Sequence, residues 1–233
     1  MSEKADKDAF RASLSLADLL ITKNAGRVAE MLRRQECYRS AKQIFVDPSQ
    51  VLKQVRINCL ADGKKLIMPA PGLKEGFYAL EPYVNPFDKL SFVVTPNGLL
   101  QHGVRIEHRH ISRLQIDLLI TDAVAVDMQG GRIGGGEGFF DLSCAILHEL
   151  KALSSRRVIL AAADNEQIVE RVPTEDWDVG IDGIVTPEGI RWTRNEKRDI
   201  ALFPEALGAR KIRKISPLFK IYGRQEAGKE PPS

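Results

Sequence analysis

The feature that most constrains this chain is a glycine-rich loop set between strand-type and helix-type sequence, within residues 116–153. Leu118-Leu119-Ile120 and Val124-Ala125-Val126 are short apolar runs of β character. The loop that follows holds Gly130, Gly131, Gly134, Gly135, Gly136 and Gly138, with Arg132 and Glu137 as its only charges. Phe139-Phe140-Asp141 then opens a segment in which Leu142, Ala145, Ile146 and Leu150 recur at helical spacing. Glycine admits positive φ and close backbone approach. A helix N-terminus presents unpaired N–H groups and a positive dipole end. Arg132 adds a planar fork of donors suited to phosphate oxygens. The stretch reads as a phosphate cradle, although a glycine-rich loop without a ligand has the same composition. No Gly-Lys-Ser/Thr follows, so it is not a P-loop, and the glycine spacing at 134, 136 and 138 departs from the dinucleotide fingerprint.

Strand-like runs alternate with helical patterns on both sides of the loop. Residues 7–35 read as two helices with a break near Asn24–Gly26. Gln43–Val46 reads as a strand, Asp47-Pro48-Ser49 as a helix start, and Gly63 as that helix's stop. Lys65–Met68 is a strand closed by prolines. Ser91–Val94 reads as a strand followed by a turn at Asn97-Gly98. Arg157–Ala161, Ile184–Thr186 and Ile190–Trp192 complete the β-type runs. This alternation predicts an α/β fold: a three-layer α/β/α domain with a mixed, largely parallel sheet. The glycine loop should then lie at the C-terminal edge of the sheet.

Composition narrows the function. The chain of 233 residues, 43% hydrophobic and 28% charged, has ample material for one α/β core. A net charge of +3 suits an anionic small ligand and is too mild to argue for nucleic acid. Cys37, Cys59 and Cys144 are widely spaced and odd in number, which suggests buried thiols in a reducing compartment rather than a zinc site or disulfides. The charged N-terminus lacks the apolar core of a secretory signal, and no apolar run approaches a membrane span. A cytoplasmic protein is expected. His102, His108 and His110 lie among Arg105, Arg109 and Arg113. That cluster reads as a basic rim near an anion site or as a solvated loop, and only weakly as a metal site. Residues beyond Arg194 are basic, and about the last ten read as disordered. The organisation expected is a helical segment over 1–36, an α/β domain over 37–193 and a basic extension over 194–233. Nothing in the chain fixes its oligomeric state.

The run Asp127-Met128-Gln129-Gly130-Gly131-Arg132-Ile133-Gly134-Gly135-Gly136-Glu137-Gly138-Phe139-Phe140-Asp141 resembles the G-R-L-G-x-G-x-G-Y-Y-D signature of 5-formyltetrahydrofolate cyclo-ligases. Downstream, Val172-Pro173 with Asp178, then Asp182 and Ile184-Val185-Thr186, resembles that family's closing motif. The resemblance covers roughly Val55 to Thr193 and implies a fold of the NagB/RpiA/CoA-transferase type. It implies an enzyme that uses ATP and magnesium to close 5-formyltetrahydrofolate to 5,10-methenyltetrahydrofolate. By the same resemblance Arg132, Ile133, Gly134, Gly135, Gly136, Glu137, Gly138, Phe139 and Phe140 form the ATP cradle, with Arg132 and Asp141 catalytic. Asp141 and Asp178 match the magnesium-facing aspartates. Lys7 and Arg11 match an N-terminal K-x-x-x-R pair that reaches the nucleotide, or are simply a solvated basic face. Arg56, Lys74, Phe139 and Phe140 are the expected substrate contacts.

Two departures from the family pattern concern the folate. The segment Ser49–Lys53 carries no acid where the family has a glutamate facing the pteridine, and Phe139-Phe140 replaces the usual tyrosines. Arg56 and Met68–Lys74 resemble instead a divergent branch with a proposed role around thiamine metabolism. A paralogue acting on another heterocycle, or a non-catalytic nucleotide- or metabolite-binding protein, fits these departures.

Overall fold

The structure, a computed structural model, describes residues 7–10, 17–195 and 200–226. Ten strands form in chain order: β1 (Gln43–Val46), β2 (Lys65–Pro69), β3 (Phe77–Leu80), β4 (Val104–Arg105), β5 (Ile116–Asp122), β6 (Ala125–Val126), β7 (Arg132–Ile133), β8 (Leu153–Ala162), β9 (Gly183–Thr186) and β10 (Gly189–Trp192). Eight of them make one sheet in the order β10-β9-β8-β5-β1-β2-β3-β4. The five from β9 to β2 run parallel, while β10 pairs antiparallel with β9, β3 with β2 and the edge strand β4 with β3. The mixed, largely parallel sheet read from the sequence is present.

Period-two alternation sends side chains to two cores. Ile44 and Val46 of β1 face a layer containing Val28, Ala29 and Leu32 of α1 (Ala17–Arg33) and Val55, Cys59 and Leu60 of α2 (Lys53–Ala61). Phe45 faces the opposite layer, with Ile146 and Leu147 of α3 (Phe139–Glu149). That second layer also holds Ile200, Ile215 and Leu218. These flank α4 (Pro204–Lys214) and begin α5 (Ser216–Glu226), so the basic C-terminal segment packs on the same core as the glycine loop. α5 reaches into the stretch read as disordered, and residues 227–233 lie outside the described residues.

Three local readings are corrected. α1 runs unbroken through Asn24–Gly26. One glycine inside a helix costs about 1 kcal/mol against alanine, and burial of Val28 and Leu32 offsets it. Ser91–Val93 is helical, not extended, with Val94 as the C-cap, and Asn97-Gly98 lies inside the helix Pro96–His102. Thr95 caps that helix by accepting from the Gly98 N–H at 3.1 Å, and Pro96 sits in its first turn. A four-residue apolar run cannot by itself separate strand from helix. Lastly, the helix expected from Asp47 begins only at Lys53. Arg56 donates to the carbonyls of Asp47 and Ser49 at 2.7 Å each, which holds that segment open as a loop.

Candidate active site

The strand order reverses between β1 and β5: the chain leaves β1 for β2 on one side and returns to β5 on the other. Open α/β sheets bind ligands at such a switch point, beyond the strand C-termini. A cavity of about 650 Å³ lies there. Asp47, just past β1, and Asp122, at the end of β5, line it together with the glycine loop and the start of α3.

The glycine-rich stretch is two loops, not one. β6 and β7 form an antiparallel hairpin, pairing Val126 with Arg132, and its turn spans residues 127–131. Buried Asp127 fixes that turn: its carboxylate accepts from the N–H groups of Gln129 (3.0 Å), Gly131 (2.8 Å) and Val172 (2.9 Å). The second loop, residues 134–138, leads into α3, whose N-cap Gly138 has φ 66° and ψ 18°. Among the described residues no side-chain cap covers the first turn of α3, which leaves N–H groups there for a ligand, and Gly138, Phe139 and Phe140 line the cavity. An exposed loop of small residues ahead of an uncapped helix start is the geometry that receives a phosphate group.

Arg132 lines the cavity with part of its fork committed, while its buried Nε has no hydrogen-bond partner among the described residues. Nη2 donates to Asp141 Oδ2 at 2.7 Å, with the two side chains 5% and 14% exposed. The guanidinium carbon stands 4.9 Å from the Phe140 ring centroid. Asp141 Oδ1 accepts from the Val179 N–H at 3.0 Å, so the pair ties the loop to α3 and to the downstream motif. Lys7 is likewise engaged: its ammonium bonds Asp178 and lies 3.7 Å from Glu175 Oε2. Asp178 in turn accepts from the Glu175 N–H at 2.7 Å. Ile133, Gly134, Gly135, Gly136 and Glu137 all line the cavity. Arg11 lies outside the described residues.

Two expected substrate contacts fall elsewhere. Arg56 is 1% exposed and gives its donors to the carbonyls of Val94, Asp47 and Ser49, so it positions the Asp47 loop and is not part of the cavity wall. Lys74 is exposed and absent from the cavity wall; its carbonyl accepts from the Ser216 N–H. The histidine cluster is also remote: His108, Arg105 and Arg109 line a separate cavity with Lys220.

Six carboxylates (Asp47, Asp122, Glu137, Asp141, Glu175 and Asp178) and three cations (Lys7, Arg132 and Lys211) line the main cavity. Burial first, and Asp122 second, push the Asp47 carboxyl up to about 6 from its ordinary 3.8. In the unfolded chain Asp47 loses its proton near 3.8; in the folded chain it keeps it until about 6. Unfolding therefore releases a proton between these values, and folded-state stability falls as pH rises through that window. Asp47→Asn is expected to stabilise the ligand-free protein at pH 7 by about 1–3 kcal/mol. The gain should shrink to nothing below the unfolded value, as thermal unfolding at a series of pH values would show.

Comparison with known proteins identifies the arrangement. The profile of the 5-formyltetrahydrofolate cyclo-ligase family matches residues 5–187. The chain belongs to that family. The human methenyltetrahydrofolate synthase domain-containing protein is 30% identical over 204 residues, covering 84% of this chain and 52% of its own length. The Escherichia coli 5-formyltetrahydrofolate cyclo-ligase is 33% identical over 95 residues, 40% of this chain and 50% of its own. The chain thus spans about half the length of the curated relatives it matches. The solved structure of Aquifex aeolicus 5,10-methenyltetrahydrofolate synthetase shares the fold, with a TM-score of 0.54 at 18% identity, covering 84% of this chain and 95% of that one.

Within this cyclo-ligase fold, sequence reasoning missed Asp47, Asp122 and Lys211. An acid at a strand's end is the only signal Asp47 and Asp122 carry, and it becomes informative once the strand order places β1 beside β5. Lys211 follows the family-matched stretch and had no motif to mark it.

Proposed function

We propose that this chain is an ATP- and magnesium-dependent enzyme that converts 5-formyltetrahydrofolate to 5,10-methenyltetrahydrofolate. The observation that carries the reading is the coincidence of the family signature with an open glycine loop and uncapped helix start at the sheet's switch point. In this reaction the formyl oxygen attacks the γ-phosphorus of ATP and ADP leaves. The N10 nitrogen then attacks the activated formyl carbon, and phosphate departs as the ring closes. Such chemistry asks the protein for position and charge neutralisation and not for a covalent nucleophile. The N–H groups of residues 134–140 receive the phosphates, and Phe139 supplies an apolar face for a flat ring. Arg132 acts by holding Asp141.

Magnesium fits the residues present. An excess of carboxylates lines the cavity, and burial with Asp122 nearby raises the Asp47 carboxyl to about 6 even though Arg132 and Arg56 oppose the shift. Among the described residues no group of three or more acidic, histidine or cysteine side chains forms a cage. The ion would therefore sit on one or two carboxylates of Asp141, Asp178, Asp47 and Asp122 and on ligand oxygens, which is magnesium's habit. When bound it would neutralise phosphate charge.

A second reading, a related enzyme for another heterocycle, is favoured by the acid-free Ser49–Lys53 segment and by Phe139-Phe140 in place of the family's tyrosines. Incubation with ATP, magnesium and 5-formyltetrahydrofolate separates the two. Near-ultraviolet absorbance of methenyltetrahydrofolate supports the first, whereas tight ATP binding without that product supports the second. Chelation of magnesium with EDTA should abolish turnover.

A further inference from the structure

Part of the cavity wall comes from residues beyond the family-matched stretch, among them Leu202, Phe203, Leu207 and Lys211. We infer that Lys211 is a phosphate-binding residue of this site, supplied by the C-terminal segment from outside the family motif. The inference rests on the nucleotide half of the proposed function and deepens it.

Charge makes the case. An entering polyphosphate meets a cavity with twice as many carboxylates as cations. Two of the three cations are committed, Arg132 to Asp141 and Lys7 to Asp178 and Glu175. Among the described residues Lys211 bonds no carboxylate. Its ammonium stands 5.7 Å from the centroid of the Phe139 ring. Phe139 is the first residue of α3, so Lys211 is held beside the same uncapped helix start toward which the loop opens. An ammonium resting on an aromatic face is weakly held and readily transferred to an anion.

The backbone aims it there. Gly208 interrupts α4 with φ 64° and ψ 145°, a conformation essentially confined to glycine. Ile215 and Leu218, at 2% and 0% exposure, pin the chain just after Lys211. The lysine thus sits on the helical stretch of α4 between a kink and a buried anchor, and lines the cavity.

The test is calorimetric titration of ATP with magnesium, and of adenosine, into wild-type protein, Lys211→Met and Lys211→Arg. Methionine keeps the stem and its packing; Lys211→Gln serves in its place should the methionine variant melt early. The expected result is a loss of about tenfold in ATP affinity for the neutral variant, as for one charge-assisted hydrogen bond. Adenosine affinity should be unchanged, and arginine should restore most of the loss. Wild-type ATP affinity in the neutral variant overturns the assignment, as does an equal loss for ATP and adenosine, which would make Lys211 wall packing. Wild-type protein that binds no ATP overturns the nucleotide reading itself, and Lys211's role with it.

Discussion

Arg132→Ala should destabilise the protein by about 3–5 kcal/mol, the cost of removing one partner of a buried ion pair. The guanidinium is 95% buried by its 5% side-chain exposure, and Asp141 would be left at 14% exposure with one carboxylate oxygen unpaired. Stacking on Phe140 is lost as well. Urea unfolding should show a lower midpoint with an unchanged slope. A double-mutant cycle with Asp141→Ala should be strongly non-additive, because either single change already breaks the pair. A wild-type midpoint with weakened nucleotide binding would instead put the guanidinium on the ligand. Lysine should rescue poorly, since it cannot reproduce the planar fork.

Gly135→Val should do the reverse, sparing stability and removing function. A Cβ built at Gly135 meets no heavy atom within 4 Å, and its φ lies outside the left-handed region. Neither clash nor left-handed strain opposes the side chain, so stability should stay within about 0.5 kcal/mol of wild type. In the proposed reaction the same empty space is where a phosphate approaches the loop N–H groups. A branched side chain there should cut ATP affinity and turnover about a hundredfold, equivalent to roughly 2.7 kcal/mol. Thermal unfolding beside ATP titration checks both halves. Gly135→Val with wild-type ATP affinity would place the phosphates elsewhere in the cavity.

These two substitutions also mark how far the sequence could be read. Gly135 is legible because its role needs only local backbone: a small residue in a loop ahead of a helix start. The parallel strands were legible for a similar reason, since Ile44–Val46 and Leu118–Ile120 are continuous apolar runs of the kind buried on both faces. Arg132 is different. Whether an arginine in a glycine-rich stretch faces a ligand or the core depends on the β6–β7 register, and on Asp141 nine residues away closing back on it. Asp47 and Asp122 are 75 positions apart and become neighbours only through the β1–β5 pairing. The helix at Pro96–His102 was hidden because its apolar run is too short for periodicity, although Thr95-Pro96 was a cap signal in plain view. The C-terminal wall was hidden by composition: its lysines and arginines read as solvated, while Ile215 and Leu218 anchor the segment in the core.

In the proposed function, the cavity at the switch point couples ATP to ring closure of 5-formyltetrahydrofolate. The most direct test of that coupling is one progress curve: purified protein with ATP, magnesium and 5-formyltetrahydrofolate, followed by the near-ultraviolet absorbance of 5,10-methenyltetrahydrofolate, with ADP measured in the same samples. The account predicts methenyl product and ADP in equal amounts, both lost in Gly135→Val protein of wild-type stability. ADP without methenyl product, or product formed equally well by the Gly135→Val protein, would contradict it.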